Sequence, residues 1–155
     1  ASDVYKRQVD DYMKYKVHPE KDDVFMTRIG SIGTCAIVDK EEDLAYYVSL
    51  ALIRPNKNMV LSKYVKHIIE SGHGKREISK RTLVNAVPIK INLGEIGKIV
   101  LPIPPLEEQE RIVAILDKFD SLVNDISEGL PAELNARRQQ YEYYRNKLLT
   151  FTEMN

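Results

Sequence analysis

In "DVFMTRIGSIGTCAIV" two apolar runs flank a pair of glycines, which predicts a strand over 24–29, a turn over 30–33 and a return strand ending at Val38. A third strand follows in "AYYVSLALIRP", rich in β-branched and aromatic side chains and stopped by Pro55. The rhythm then changes. In "LSKYVKHIIESG", Leu61, Tyr64, Val65, Ile68 and Ile69 fall on one side of a helix that Gly72 ends. "VNAVPIKINLGEIGKIVLPIP" returns to extended chain, with one helical turn near 93–97. The first hundred or so residues therefore read as a mixed, β-rich α+β head.

Beyond Leu106 the pattern is purely helical. Ile112, Ile115, Leu116, Phe119, Leu122, Val123 and Ile126 recur at steps of three and four, a single stripe on a helix of several turns. Pro102, Pro104 and Pro105 stiffen its approach, and Glu107 and Glu108 occupy the first turn, where the helix dipole favours negative charge. After a break near 128–132, a second helix carries Leu134, Arg137, Tyr141, Tyr144, Leu148 and Phe151 in a heptad-like seam.

The composition, 155 residues with 43% hydrophobic and 30% charged, is that of a globular protein of single-domain size. No run approaches the roughly 18 apolar residues of a membrane span, and no apolar stretch follows a basic start. The expected location is the cytoplasm, away from any membrane. Cys35, alone, cannot form an internal disulfide and reads as a small buried hydrophobe. "ASDVYKRQ" has neither periodicity, so residues 1–8 are set apart as a non-native leader.

The zero formal net charge conceals two poles. Residues 57–90 hold eight basic side chains against Glu70 and Glu77, whereas 107–128 hold seven acids against Arg111 and Lys118. "SGHGKREISKRT" pairs basic and small residues, a footprint suited to phosphate as well as to a solvated loop. Enzyme chemistry is not legible. His18, His67 and His73 lack metal-ligand spacing, and the latter two read as surface histidines around a helix end. There is no phosphate-loop signature and no NPPY- or DPPY-type tetrapeptide. "GSIG" matches the GxxG of KH domains only formally, because it joins strands and not helices, and "PIPP" runs straight into a helix.

"LPIPPLEEQERIVAILDKFDSLVNDISEGLPAEL", followed by "RRQQYEYYRNKLLTF", closely resembles the conserved region of the specificity subunit of type I restriction-modification enzymes. "DDVFMTRIGSIGTCAIVDKEEDLAYYVSLALIRPN" resembles the later part of that family's target recognition domain. The resemblance implies a non-catalytic subunit that reads double-stranded DNA with two recognition domains, held apart by long helices forming an antiparallel coiled coil. It implies 9–105 as the C-terminal part of a recognition domain and 106–152 as spacer helices. Because this chain has one head and one spacer, it reads as a fragment, completed by a second recognition half or by a homodimer. Implied partners are methyltransferase subunits and, through them, the restriction/translocase subunit. S-adenosylmethionine, ATP and Mg are expected in those partners and no cofactor in this one.

Arg28 and Ser31 flank the tight turn, and Lys75, Arg76, Lys80 and Arg81 follow a flexible "SGHG"; these are the expected DNA-binding residues, most of them holding phosphate. Ile112, Leu116, Phe119, Val123, Ile126, Tyr141, Tyr144, Leu148 and Phe151 are expected to face partner helices in the spacer. The competing reading is a coiled-coil assembly module whose head binds protein.

Overall fold

A computed structural model describes residues 17–40, 46–125 and 131–150. Its sheet grows from the glycine turn. Gly33 has φ near +93°, a left-handed conformation that a side chain would strain, and its N–H donates to the Thr27 carbonyl at 2.9 Å. This closes β1 (Val24–Thr27) onto β2 (Cys35–Ile37), and β3 (Leu50–Ile53) pairs with the other edge of β1. All pairs are antiparallel, in the order β2-β1-β3. Register places Val24 opposite Ile37 and Ile53, and Met26 opposite Cys35 and Ala51. Alternation turns Val24 and Met26 to one face, where both are fully buried.

That face meets helix α1 (Ser62–Glu70). The apolar positions of α1 do not form one stripe. Val65 and Ile69 join Val24, Met26, Cys35, Ile78 and Ile91 in the sheet core, while Tyr64 and Ile68 turn away into a second core. There they meet Ile112, Val113 and Leu116 of α4 (Leu106–Asp125) and Leu149, just past α5 (Pro131–Leu148). Phe119 of α4 lies against Tyr141 and Tyr144 of α5, so the two long helices run antiparallel as a hairpin whose open end stands on the head. A short turn, α3 (Leu93–Ile96), lies where a helical turn was expected. The fold is α+β, with a small antiparallel sheet and long helices.

One element departs from the sequence reading. "SGHG" predicts a helix stop and a flexible loop, yet Gly72 opens helix α2 (Gly72–Ser79), which starts directly from the end of α1. Ser71 belongs to both ends: its hydroxyl donates to the Ile68 carbonyl and accepts from the Gly74 N–H. A Cβ on Gly74 would stand 2.1 Å from the Ile69 carbonyl oxygen. The glycine is a packing requirement between two helix backbones and not a flexible joint.

Gly74→Ala should therefore force α1 and α2 apart, lowering unfolding free energy by about 1–3 kcal/mol or more, as overpacking does when backbone is the obstacle. Urea unfolding of variant and parent checks this, and an unchanged midpoint would show that the helix junction can yield.

Candidate nucleic-acid face and its helical mount

The expected DNA-binding residues lie at the glycine turn and on, or just past, helix α2. Helix α2 lies beside the glycine turn, where a Cβ on Gly33 would meet the Ile78 side chain at 3.0 Å. Lys75 and Arg76 are exposed on α2, and no acid pairs with either among the described residues. Lys80 and Arg81 are engaged: Lys80 Nζ lies 2.6 Å from Glu77 Oε1, and Arg81 Nη1 lies 2.8 Å from Glu77 Oε2. Their signal was present in the sequence as i,i+3 and i,i+4 spacing from Glu77. Arg28 is committed to backbone, donating from Nε to the Val48 carbonyl at 2.7 Å and from Nη1 to the Ile91 carbonyl at 3.1 Å. Ser31 is exposed at the turn, and its carbonyl accepts from the Thr27 hydroxyl.

Glu77 itself is a fastening. Hydrogen bonds from Lys80 and from the Val100 N–H hold its carboxyl down to about 2, aided by the Arg81 charge. Val100 begins the extended approach to α4, and its carbonyl accepts from His73 Nε2 at 2.8 Å. The Tyr64 hydroxyl donates to the Pro102 carbonyl at 2.8 Å. Gln109 completes the joint. Fully buried, it accepts from the Leu61 N–H at 2.9 Å and donates to the Met59 and Pro104 carbonyls at 2.9 and 2.7 Å. The proline stretch is thus tied to α1 and α2 at successive points.

The spacer residues divide. Ile112 and Leu116 do not face outward; both are fully buried against Tyr64 and Ile68 of the same chain, which corrects the expectation that they await partner helices. The head presents an apolar face that a one-dimensional pattern cannot locate. Phe119 is half-buried, its ring stacked on Tyr144 at 5.8 Å and tilted against Tyr141 at 6.3 Å. Val123 and Leu148 are half-buried, and Ile126 and Phe151 lie outside the described residues. Reading missed Arg145 and Leu149, which continue from Tyr141 at steps of four. Arg145 Nη2 donates to the Glu70 carbonyl at the end of α1 at 2.9 Å, and Asn146 Oδ1 accepts from the Gly72 N–H at 2.7 Å. A cation suits that helix end.

His67 also departs from the reading, for it is 3% exposed and not a surface residue. Its Nε2 lies 3.2 Å from Asp117 Oδ1, and Lys63 pairs with the other carboxylate oxygen. Burial works against the Asp117 charge, but hydrogen bonds from Lys63 and His67 outweigh it and hold the carboxyl below its usual range. Asp120 stands nearby, within 4.8 Å of both as a donor set, and is hydrogen-bonded with Tyr141. His67 Nε2 and both carboxylates are engaged by protein groups, so the cluster links α1 to α4, while His67 Nδ1 is buried with no hydrogen-bond partner among the described residues. Cys35 is inert, burial and then the Glu70 charge pushing its thiol up to about 12.

The family model for the type I restriction modification DNA specificity domain matches residues 2–136, starting inside the stretch set apart as a leader. The chain is 34% identical over 143 residues to a Haemophilus influenzae protein named "Putative type I restriction enzyme specificity subunit S.HindORF215P", covering 92% of this chain and 35% of that one. It is 43% identical over 98 residues to the Escherichia coli type I restriction enzyme EcoR124I/EcoR124II specificity subunit, covering 63% of this chain and 24% of that one. The crystal structure of the HsdS subunit from Thermoanaerobacter tengcongensis shares the fold, with a TM-score of 0.55 at 21% identity over 72% of this chain and 28% of that one. This chain thus spans about a third or less of the length of these proteins.

Two outcomes test the mount. Gln109→Leu keeps the volume but strands the Leu61 N–H and two carbonyls, and should cost about 2–3 kcal/mol in denaturant unfolding; a neutral result would remove the amide from the joint. Glu77 supplies a pH dependence. Its folded value lies below the ordinary 4.5, so its contribution is complete above that value and is lost as pH falls toward about 2. Glu77→Gln should lower the melting temperature at pH 7 and make the decline between pH 4.5 and 2 shallower than in the parent; parallel curves would contradict the assignment.

Proposed function

The chain belongs to the type I restriction modification DNA specificity family, and from that premise we propose that its head reads one half of a bipartite double-stranded DNA site while its helical hairpin spaces the head and docks methyltransferase subunits. The observation that carries this reading is the exposed, acid-free pair Lys75 and Arg76 on α2, the helix whose first N–H is held by the hairpin through Asn146. Lys75 and Arg76 hold phosphates, and Lys80 and Arg81 add a weaker field because Glu77 offsets one of their charges. Arg28 positions backbone, and Ser31 is exposed at the glycine turn.

Outward on the hairpin, Leu122, Tyr143 and Tyr144 remain exposed, an apolar surface suited to a methyltransferase subunit or to a second spacer. The second half-site is read by another recognition domain or by a second copy. Methylation, cleavage and ATP hydrolysis, with S-adenosylmethionine, ATP and Mg, belong to the partner subunits, and the assembly works in the cytoplasm. Among the described residues no helix is long and apolar enough to cross a membrane.

Salt dependence tests the proposal. In the native assembly, DNA affinity should fall steeply with ionic strength, and replacing Lys75 and Arg76 together by alanine should reduce the slope of log K against log salt by about 2, near 0.9 per lost phosphate contact. Absence of DNA retention at low salt would favour an adaptor whose head binds protein.

A further inference from the structure

Residues 83–90 form a finger beside the segment that leads from β1 into the glycine turn. It is closed at its base by the antiparallel pair Leu83 and Lys90, with the Leu83 N–H donating to the Lys90 carbonyl at 2.7 Å. The base is pinned to the end of β1: the Gly30 N–H donates to the Ile89 carbonyl at 2.9 Å, and the Ile91 N–H donates to the Arg28 carbonyl at 3.0 Å. Arg28 Nη1 adds a bond to the Ile91 carbonyl. Ile91 is fully buried in the sheet core, so the finger stands on a fixed footing.

Its tip is apolar and outside the core. Val87 is 100% exposed and Val84 67% exposed, with Leu83 and Ile89 also open to solvent. A cluster of that kind marks a contact surface. Its surroundings identify the contact. No acidic residue occurs between Glu77 and Glu95, and that stretch holds Lys80, Arg81 and the exposed Lys90. An acid-free stretch with cations on both sides of an apolar tip suits a polyanion with apolar groups in its groove better than an apolar protein patch. The major groove of DNA admits a two-stranded ribbon and presents one such group, the C5-methyl of thymine.

We propose that the 83–90 finger enters the major groove and that Val84 and Val87 read thymine by contact with its methyl group. This rests on the DNA-reading function proposed above and adds the residues that discriminate bases. Cations hold the backbone, and the two valines supply selectivity. Arg28 is a positioning residue, acting through the Ile91 carbonyl on the finger's base.

The test uses the native assembly and duplexes. Selection from a randomised library defines the preferred site, and each thymine is then replaced by deoxyuridine, which removes only the methyl. Wild type should lose about three- to fivefold in affinity at one or two positions, the worth of a buried methyl. Val84→Ala/Val87→Ala should bind every such duplex alike, with the salt slope and melting temperature of the parent. Retained discrimination by the variant, or a wild-type site with no methyl-sensitive thymine, would overturn the finger's role while leaving DNA binding intact. Loss of subunit assembly in the variant would assign the finger to a protein contact and overturn it equally. Wild type that shows no salt-dependent DNA binding would remove the proposed function and this inference together.

Discussion

Helix α1 is buried from two sides, and the relation between head and hairpin depends on that. Val65 and Ile69 fill the space under the sheet, while Tyr64 and Ile68 fill the space above α4 and Leu149. The helix cannot turn about its axis without withdrawing both sets from their cores. Each fully buried side chain of this size contributes about 1.5–3 kcal/mol through exclusion of water, against about 0–1 for the partly exposed Lys63–Asp117 pair on the same interface. Packing sets the strength of the joint, and the ion pair affects it little.

Apolar burial is not directional, so something else must fix the angle. Gln109 accepts from Leu61 and donates to Met59 and Pro104, three bonds with separate directions from one buried amide. Leaving any of these groups unmet inside the joint costs about 1–3 kcal/mol, which penalises every orientation but one. Arg145 does the same at the opposite end of α1, where the Glu70 carbonyl takes its guanidinium and Tyr141 lies under it at 5.3 Å. Pro102, Pro104 and Pro105 then restrict the only covalent path from the head to α4. On the proposed function, this rigidity would convert helix length into spacing between half-sites.

Much of this was legible in the sequence. The glycine turn, the strand stopped by Pro55, the start of α4 at Leu106 and the α+β class all follow from period and turn chemistry. What escaped has physical causes. Adjacent apolar pairs at 64/65 and 68/69 span a wider arc than a single stripe, a sign of two-sided burial that a one-face reading discards. Glycine at 72 and 74 has the poor helix propensity of a stop signal, and only the 2.1 Å approach to the Ile69 carbonyl reveals why helix α2 needs it. His67 and Arg145 look like surface residues until tertiary partners are known, because nothing local announces that Asp117 or the Glu70 carbonyl will lie beside them. The finger was legible only as extended chain; its exposure depends on the bridge at its base.

The same connections run from the proposed finger to the hairpin. Its base hangs from the Arg28 carbonyl and Gly30, at the end of β1, whose inner side chains share a core with α1. The α1 helix, in turn, ends on Ser71, from which α2 starts, and both helix ends are bound to α5 through Arg145 and Asn146. Backbone hydrogen bonds and packed side chains link these steps. Close-packed interiors resist continuous deformation. The orientation of the finger and of helix α2 relative to the hairpin is therefore fixed within the fold itself. On the proposed function, an ill-fitting sequence is rejected by poor contact at the finger, because re-aiming the head would break the buried hydrogen bonds of Gln109.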